Sequence, residues 1–197
     1  MDIHPITAQS FALIDQEIGP HEWSTEEYSI VRRAIHTTAD FELKDLFHFS
    51  PGAIQAGIKA LHQNIPVIVD VQMVAVGIAS TLAKAGKHKA RCALDYPGEG
   101  PTQTAAGMLT LGRTYPHGLF VIGNAPTALL ALVEEIKAGK VQPALVIGVP
   151  VGFVAVEEAK QALAALDIPQ IQIRGRKGGS TIAAAIVNAL VHLASID

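Results

Sequence analysis

From Pro66 onward, short apolar or β-branched runs alternate with longer runs of helical periodicity, and this alternation constrains the fold more than any other feature of the chain. The strand candidates are Val67 to Val71, Ala90 to Asp95, Leu119 to Ile122, Ala144 to Val149 and Gln170 to Ile173, each followed by a helix candidate. Five such βα units predict an α/β fold with a five-stranded parallel sheet covered on both faces, because parallel strands are joined by right-handed crossovers. Upstream, residues 6 to 17 read as a helix, with Phe11, Ile14 and Ile18 at helical spacing and Gly19-Pro20 as its stop. A second helix is expected from Ser24 to Thr38. Ser24-Thr25-Glu26-Glu27 is a capping-box pattern, Tyr28, Val31 and Ile35 form its apolar stripe, and Arg32, Arg33 and His36 fall outside that stripe. A third should start at Ser50-Pro51 and run to about Gln63. One domain over residues 1–197 is expected, with N-terminal helices over about 6–63 and βα repeats over about 66–197.

In open α/β sheets ligands sit beyond the carboxyl ends of the strands. The loops there are Gly123-Asn124-Ala125-Pro126-Thr127, Gly148 to Phe153, and Arg174-Gly175-Arg176-Lys177-Gly178-Gly179-Ser180, and they should converge on one site. The last sets three cations and three glycines just before a helix. Glycines let backbone approach a ligand, and a helix start offers unpaired N–H groups, so this loop suits an anion, or else it is a solvated basic turn.

Several chemistries are missing from the sequence. After the first strand of the repeat stands Asp70-Val71-Gln72-Met73-Val74-Ala75 rather than a dinucleotide fingerprint, and no phosphate-loop or nucleophile-elbow motif occurs. Eight histidines contain no close pair, so no protein-bound metal is expected. Cys92, the only cysteine, reads as core packing, excludes an intrachain disulfide and fits a cytoplasmic location. A net charge of −3 argues against nucleic acid as a partner, and neither a leader nor a membrane span is indicated. Hydrophobic residues make up 49% of the chain and charged ones 17%, a balance that calls for a thick core or a subunit interface. His36 shares a helix flank with Arg32 and Arg33 and leaves the apolar stripe to pack, so it could face a ligand; an ordinary surface histidine has the same spacing.

The segments Arg33-Ala34-Ile35-His36-Thr37-Thr38-Ala39-Asp40, Asp70 to Val74, Gly123 to Leu129, Gly148 to Val154 and Arg174 to Ser180, in this order, resemble the precorrin-8X methylmutases, including the cobalt-precorrin-8 forms, of cobalamin biosynthesis. The resemblance implies a flavodoxin-like three-layer α/β/α fold with extra N-terminal helices, and a homodimer. It also implies an isomerase that moves a methyl group from C-11 to C-12 of one corrinoid, giving cobyrinate or hydrogenobyrinate. It implies no cofactor, any cobalt belonging to the tetrapyrrole substrate. His36 matches the family's catalytic histidine, as donor of a proton or hydrogen bond to the macrocycle. Ser10 and Arg33 match substrate-contact positions, and Gln72 and the short chain lean toward the cobalt-dependent branch. Arg174, Arg176, the amides of Gly178 and Gly179, and the helix starts near Asn124 and Thr127 can then hold the substrate's carboxylate arms. The Thr102-Gln103 segment departs from the family by carrying Gln103 where relatives have arginine, which puts one charged grip in doubt. Two other readings remain open at this level: a flavodoxin-like protein that binds a corrinoid or other polyanion without converting it, and a phosphosugar or phosphocofactor enzyme using the same basic loop.

Overall fold

The computed structural model describes residues 4–195. The helices are α1 (Pro5–Ile18), α2 (Thr25–Thr38), α3 (Ala53–His62), α4 (Gln72–Lys84), α5 (Gln103–Thr114), α6 (Pro126–Lys137), α7 (Val156–Ala164) and α8 (Ser180–Leu193). The strands are β1 (Phe47–Phe49), β2 (Val67–Val69), β3 (Arg91–Cys92), β4 (Leu119–Ile122), β5 (Leu145–Gly148) and β6 (Gln170–Ile173). They form one six-stranded sheet of order β1-β6-β5-β4-β2-β3, in which β1 runs antiparallel to β6 and every other pairing is parallel.

This corrects the expected five-stranded sheet. The N-terminal segment is not purely helical: Phe47, His48 and Phe49 pair with Ile173, Gln172 and Ile171 at the sheet edge. Three residues are too few for a period-two pattern to show in sequence, and the partner lies more than a hundred positions away in the chain. The expected strand from Ala90 to Asp95 is also shorter, because Ala93–Asp95 turns into a 3₁₀ helix. The capping box of α2 forms as its sequence predicts, with the Ser24 hydroxyl accepting from the Glu27 amide and the Glu27 carboxylate accepting from the Ser24 amide. The buried stripe of α2 is Ile30, Val31, Ala34 and Ile35, so Tyr28 is displaced from the expected core position; its hydroxyl donates to Asp15 on α1.

Alternate strand residues feed two apolar cores. Val67, Val69, Leu119, Val121, Leu145, Ile147, Ile171 and Ile173 pack with residues of α1 to α4 and α8. Ile68, Phe120, Ile122 and Val146 pack with α5, α6 and α7 on the other face. Helix α8 is buried along most of its circumference, and its alanines 183, 184, 185 and 189 let α2 and α4 approach closely. Cys92 is buried in the first core, as its sequence position suggests.

Candidate active site

The parallel strand order reverses at β2, which has β3 on one side and β4 on the other, so the ends of β2 and β4 open the crevice where α/β sheets bind ligands. Asp70, at the end of β2, closes the floor of that crevice. Its fully buried carboxylate accepts from the amides of Gly123 at 3.1 Å, Asn124 at 2.7 Å and Ala125 at 2.7 Å. Burial pushes the Asp70 carboxyl above the ordinary range, against the pull of these amide hydrogen bonds. Three donors before α6 therefore already hold an internal anion, a role for Asp70 that the sequence did not reveal. Gly123 is required beside them, since a Cβ there would lie 2.8 Å from the Ala183 side chain and 2.9 Å from Ser180 Cα. The end of β4 is thus pressed against the start of α8.

The basic loop follows β6. Its Gly179 amide donates to Val149 O at 2.8 Å, and the Gly152 amide donates to Arg176 O, so it is stitched to the loop after β5. Gly178 has φ +155°, and a Cβ there would approach Val149 O to 2.3 Å; only glycine fits. The three cations differ in commitment. Lys177 pairs with Asp40 at 2.6 Å and Glu42 at 2.7 Å, and Arg176 pairs with Glu157 at 3.2 Å. Arg174 donates to Asp45 O at 2.9 Å and, among the described residues, has no carboxylate partner. Exposed ion pairs contribute only about 0.2–1 kcal/mol each, so a multiply charged ligand can displace Glu157 from Arg176 at small cost.

The Lys177–Asp40 bridge ties this loop to the end of α2, the helix that carries His36. Between α2, α4 and the first turns of α8 lies a cleft of about 250 Å³, lined by Arg33, Thr37, Met73, Gly77, Ser180, Thr181 and Asn188 among others. Helix α8 has no side-chain cap, and its first residues, Ser180 and Thr181, line this cleft. The half-buried Arg33 has no carboxylate partner among the described residues, and burial followed by the neighbouring Arg32 charge lowers its guanidinium pKa. Arg32 points the other way, pairing with Asp15 at 2.9 Å and lying over the Phe11 ring at 4.4 Å. Of the two arginines, Arg33 lines the cleft. His36 is half-buried one turn further along, its ring edge-on to Phe11 at 5.2 Å between centroids. Phe11 read in sequence only as core; it also fixes the face that His36 presents.

The remaining expected site residues fall into a second group. Thr102 caps α5, and its hydroxyl bonds those of Thr104 at 3.0 Å and Thr127 at 2.9 Å. Gln103 donates to Leu94 O, and the Gln72 amide donates to both oxygens of Asp95 at 2.8 and 2.9 Å. Gln72 opens α4, whose next residue, Met73, lines the cleft. Asn124 is exposed above the Asp70 floor. Ser10 lies half-buried on α1 beside Phe11, and its hydroxyl makes no hydrogen bond with another described residue. Among the described residues no group of three or more His, Cys, Asp or Glu side chains is placed to hold a metal ion, and no helix is long and apolar enough to cross a membrane.

The chain is similar to known proteins over nearly its whole length. The precorrin-8X methylmutase family profile matches residues 5–193. The cobalt-precorrin-8 methylmutase of Synechocystis sp. is 46% identical, covering 97% of this chain and 96% of its own. The precorrin-8X methylmutase of Pseudomonas aeruginosa is 38% identical, covering 96% and 95%. A crystal structure of the precorrin-8X methylmutase from Thermus thermophilus superposes with a TM-score of 0.90 at 43% identity, covering 98% of both chains. The chain belongs to the precorrin-8X methylmutase family and is an isomerase of that kind.

Proposed function

We propose that this protein moves the methyl group of a precorrin-8 macrocycle from C-11 to C-12, with His36 donating a proton or hydrogen bond to the ring. One bond from the methyl carbon breaks and another forms, and substrate and product are isomers, so a proton lent by His36 is returned within the cycle. A shift inside one molecule consumes no methyl donor and changes no redox state, so the proposal includes no cofactor. The observation that carries it is the convergence of the His36 helix, Arg33 with no carboxylate partner among the described residues, the start of α8 without a side-chain cap and the basic loop, joined by the Lys177–Asp40 bridge. A corrin ring bearing many carboxylates uses all four: cations and amides for the arms, and a donor beside the ring. Gln72 and the higher identity to a cobalt-precorrin-8 methylmutase support a substrate that already carries cobalt.

The finer architecture and assembly belong to the same proposal. Numbered among themselves, the parallel strands run 2-1-3-4-5 across the sheet, and two cores flank it, which supports a flavodoxin-like three-layer fold of one domain. Sites for drug-sized ligands occupy about 300–1,000 Å³. A cleft of 250 Å³ takes a substituent rather than a macrocycle, so we place the ring against a second surface, supplied by a homodimer partner. A cytoplasmic setting suits the single reduced Cys92.

The test is incubation of the purified protein with precorrin-8 and with its cobalt form, followed by absorbance spectra and chromatographic separation, since mass does not change. Conversion to the rearranged ring is expected. A corrinoid that binds and is recovered unchanged would establish instead the non-catalytic binding protein.

A further inference from the structure

Lys160 on α7 is 3% exposed, and among the described residues no carboxylate lies within ion-pair distance of its ammonium. Glu157, one turn earlier on its helix, is committed to Arg176. A buried ammonium is costly unless its donors are satisfied. Here two backbone carbonyls satisfy it: Lys160 Nζ donates to Gly175 O at 2.7 Å and to Lys177 O at 2.6 Å. These two residues flank Arg176 in the basic loop. The peptide bonds of this loop are trans, so each N–H points away from the carbonyl of its own peptide unit. Drawing the Gly175 and Lys177 carbonyls inward therefore turns the Arg176 and Gly178 amides outward. Neither amide donates to another described residue, whereas the Gly179 amide and the Arg176 carbonyl are held by the neighbouring loop.

We propose that Lys160 is a positioning residue for carboxylate recognition, holding the basic loop from beneath so that the Arg176 and Gly178 amides face a carboxylate arm of the substrate. The inference rests on the proposed role of this loop in binding a corrinoid. It assigns work to a lysine that touches no substrate and that sequence inspection does not single out. The buried charge also adds attraction for an anion above the loop, through a medium less screening than water. Glu157, Gln161, Gln172 and Arg174 line the small cavity beside it, and Arg176 pairs with Glu157.

The test uses Lys160→Met, which keeps the stem and removes the donors, and Lys160→Gln, which restores one donor on a shorter stem. Two probes are titrated: cobyrinic acid, and the same molecule with every carboxyl methyl-esterified. In the Met variant the acid should bind at least tenfold more weakly than to the unaltered protein, the ester should bind equally to both, and Gln should recover part of the loss. Independently of any ligand, hydrogen exchange at the Gly179 amide, which donates to Val149 O, should accelerate at least tenfold in Lys160→Met while amides of β4 and β5 keep their protection. Unchanged exchange at Gly179, or equal losses for acid and ester, would overturn the role of Lys160. Failure of the unaltered protein to bind either probe would instead remove the corrinoid reading, and the exchange experiment would still decide whether Lys160 holds the loop.

Discussion

Asp70 and His36 occupy opposite settings, one a fully buried acceptor and the other a half-buried ring on the flank of α2. Asp70 acts inside the protein: its carboxylate is the shared acceptor of three amides, which have no other acceptor among the described residues. Asp70→Asn presents an NH₂ toward donors, and a buried group left unpaired costs about 1–3 kcal/mol. We expect thermal unfolding to show a loss of at least that size, with the Gly123–Ala125 turn loosened first in hydrogen exchange. His36 acts outward. The core face of α2 is Ile30, Val31, Ala34 and Ile35, so His36→Ala forfeits only the edge contact with Phe11, about 0.5–1.5 kcal/mol, partly offset by the better helix propensity of alanine. Corrinoid binding should persist while conversion falls by roughly 10²–10⁴, the usual contribution of a positioned proton donor. His36→Gln separates the roles, because an amide donates a hydrogen bond but delivers no proton; substantial rescue would point to hydrogen bonding alone. An alanine variant with normal turnover would exclude His36 from the chemistry.

At the scale of elements, the basic loop and α7 form a unit. Arg174→Ala and Arg176→Ala should raise the dissociation constant for a corrinoid more than they slow single turnover, since the arms they hold do not change charge as the methyl migrates. That weakening should shrink at high salt, where exposed charges are screened over about 10 Å or less. Unchanged affinity with a collapsed single-turnover rate would move both residues to the reacting centre. Lys160 adds a pH signature to the same unit. Burial lowers its ammonium to about 8, with Glu157 pulling the other way. Between that value and the ordinary lysine value near ~10.4, the unfolded chain binds more protons than the folded one, so this group's contribution to stability rises with pH across the window. Chemical unfolding at several pH values from 7.5 to 10 should give a more positive slope for the natural protein than for Lys160→Met. Equal slopes would mean that the lysine titrates as it does in water.

At the scale of the whole molecule, exposed apolar side chains occur on α1, at Ile6 and Leu13, and on two features beside the site. Met73 and Val76 on α4 are 71% and 74% exposed, and Phe153 and Val154 after β5 are 86% and 84% exposed. Single exposed apolar residues are ordinary, but pairs of this size beside a cleft too small for the ligand suit a subunit interface. Sedimentation at low micromolar concentration should therefore show a dimer, and charge substitutions at Met73 or Val76 should lower both its mass and the conversion rate. A stable, fully active monomer would refute the shared site while leaving the fold untouched.

Local periodicity determined much of this protein on its own: the βα alternation, the capping box of α2, the burial of Cys92, and the glycines of the basic loop are all set by residues within a few positions of one another. Local signals are legible because helix pitch, strand alternation and turn sterics act over a turn or two of chain. Edge strand β1 was hidden, since three residues carry no period and their partner in β6 lies far along the chain. So were the three amides gathered by Asp70, the edge of Phe11 against His36, and the two carbonyls gripped by Lys160. The same limit governs which cation is available: Arg32, Arg33, Arg174, Arg176 and Lys177 look alike as letters, and only folding pairs Arg32 with Asp15, Arg176 with Glu157 and Lys177 with Asp40 and Glu42, while leaving Arg33 and Arg174 without a carboxylate among the described residues. Electrostatic partnership depends on distance in space, and distance in space is what the tertiary structure alone decides.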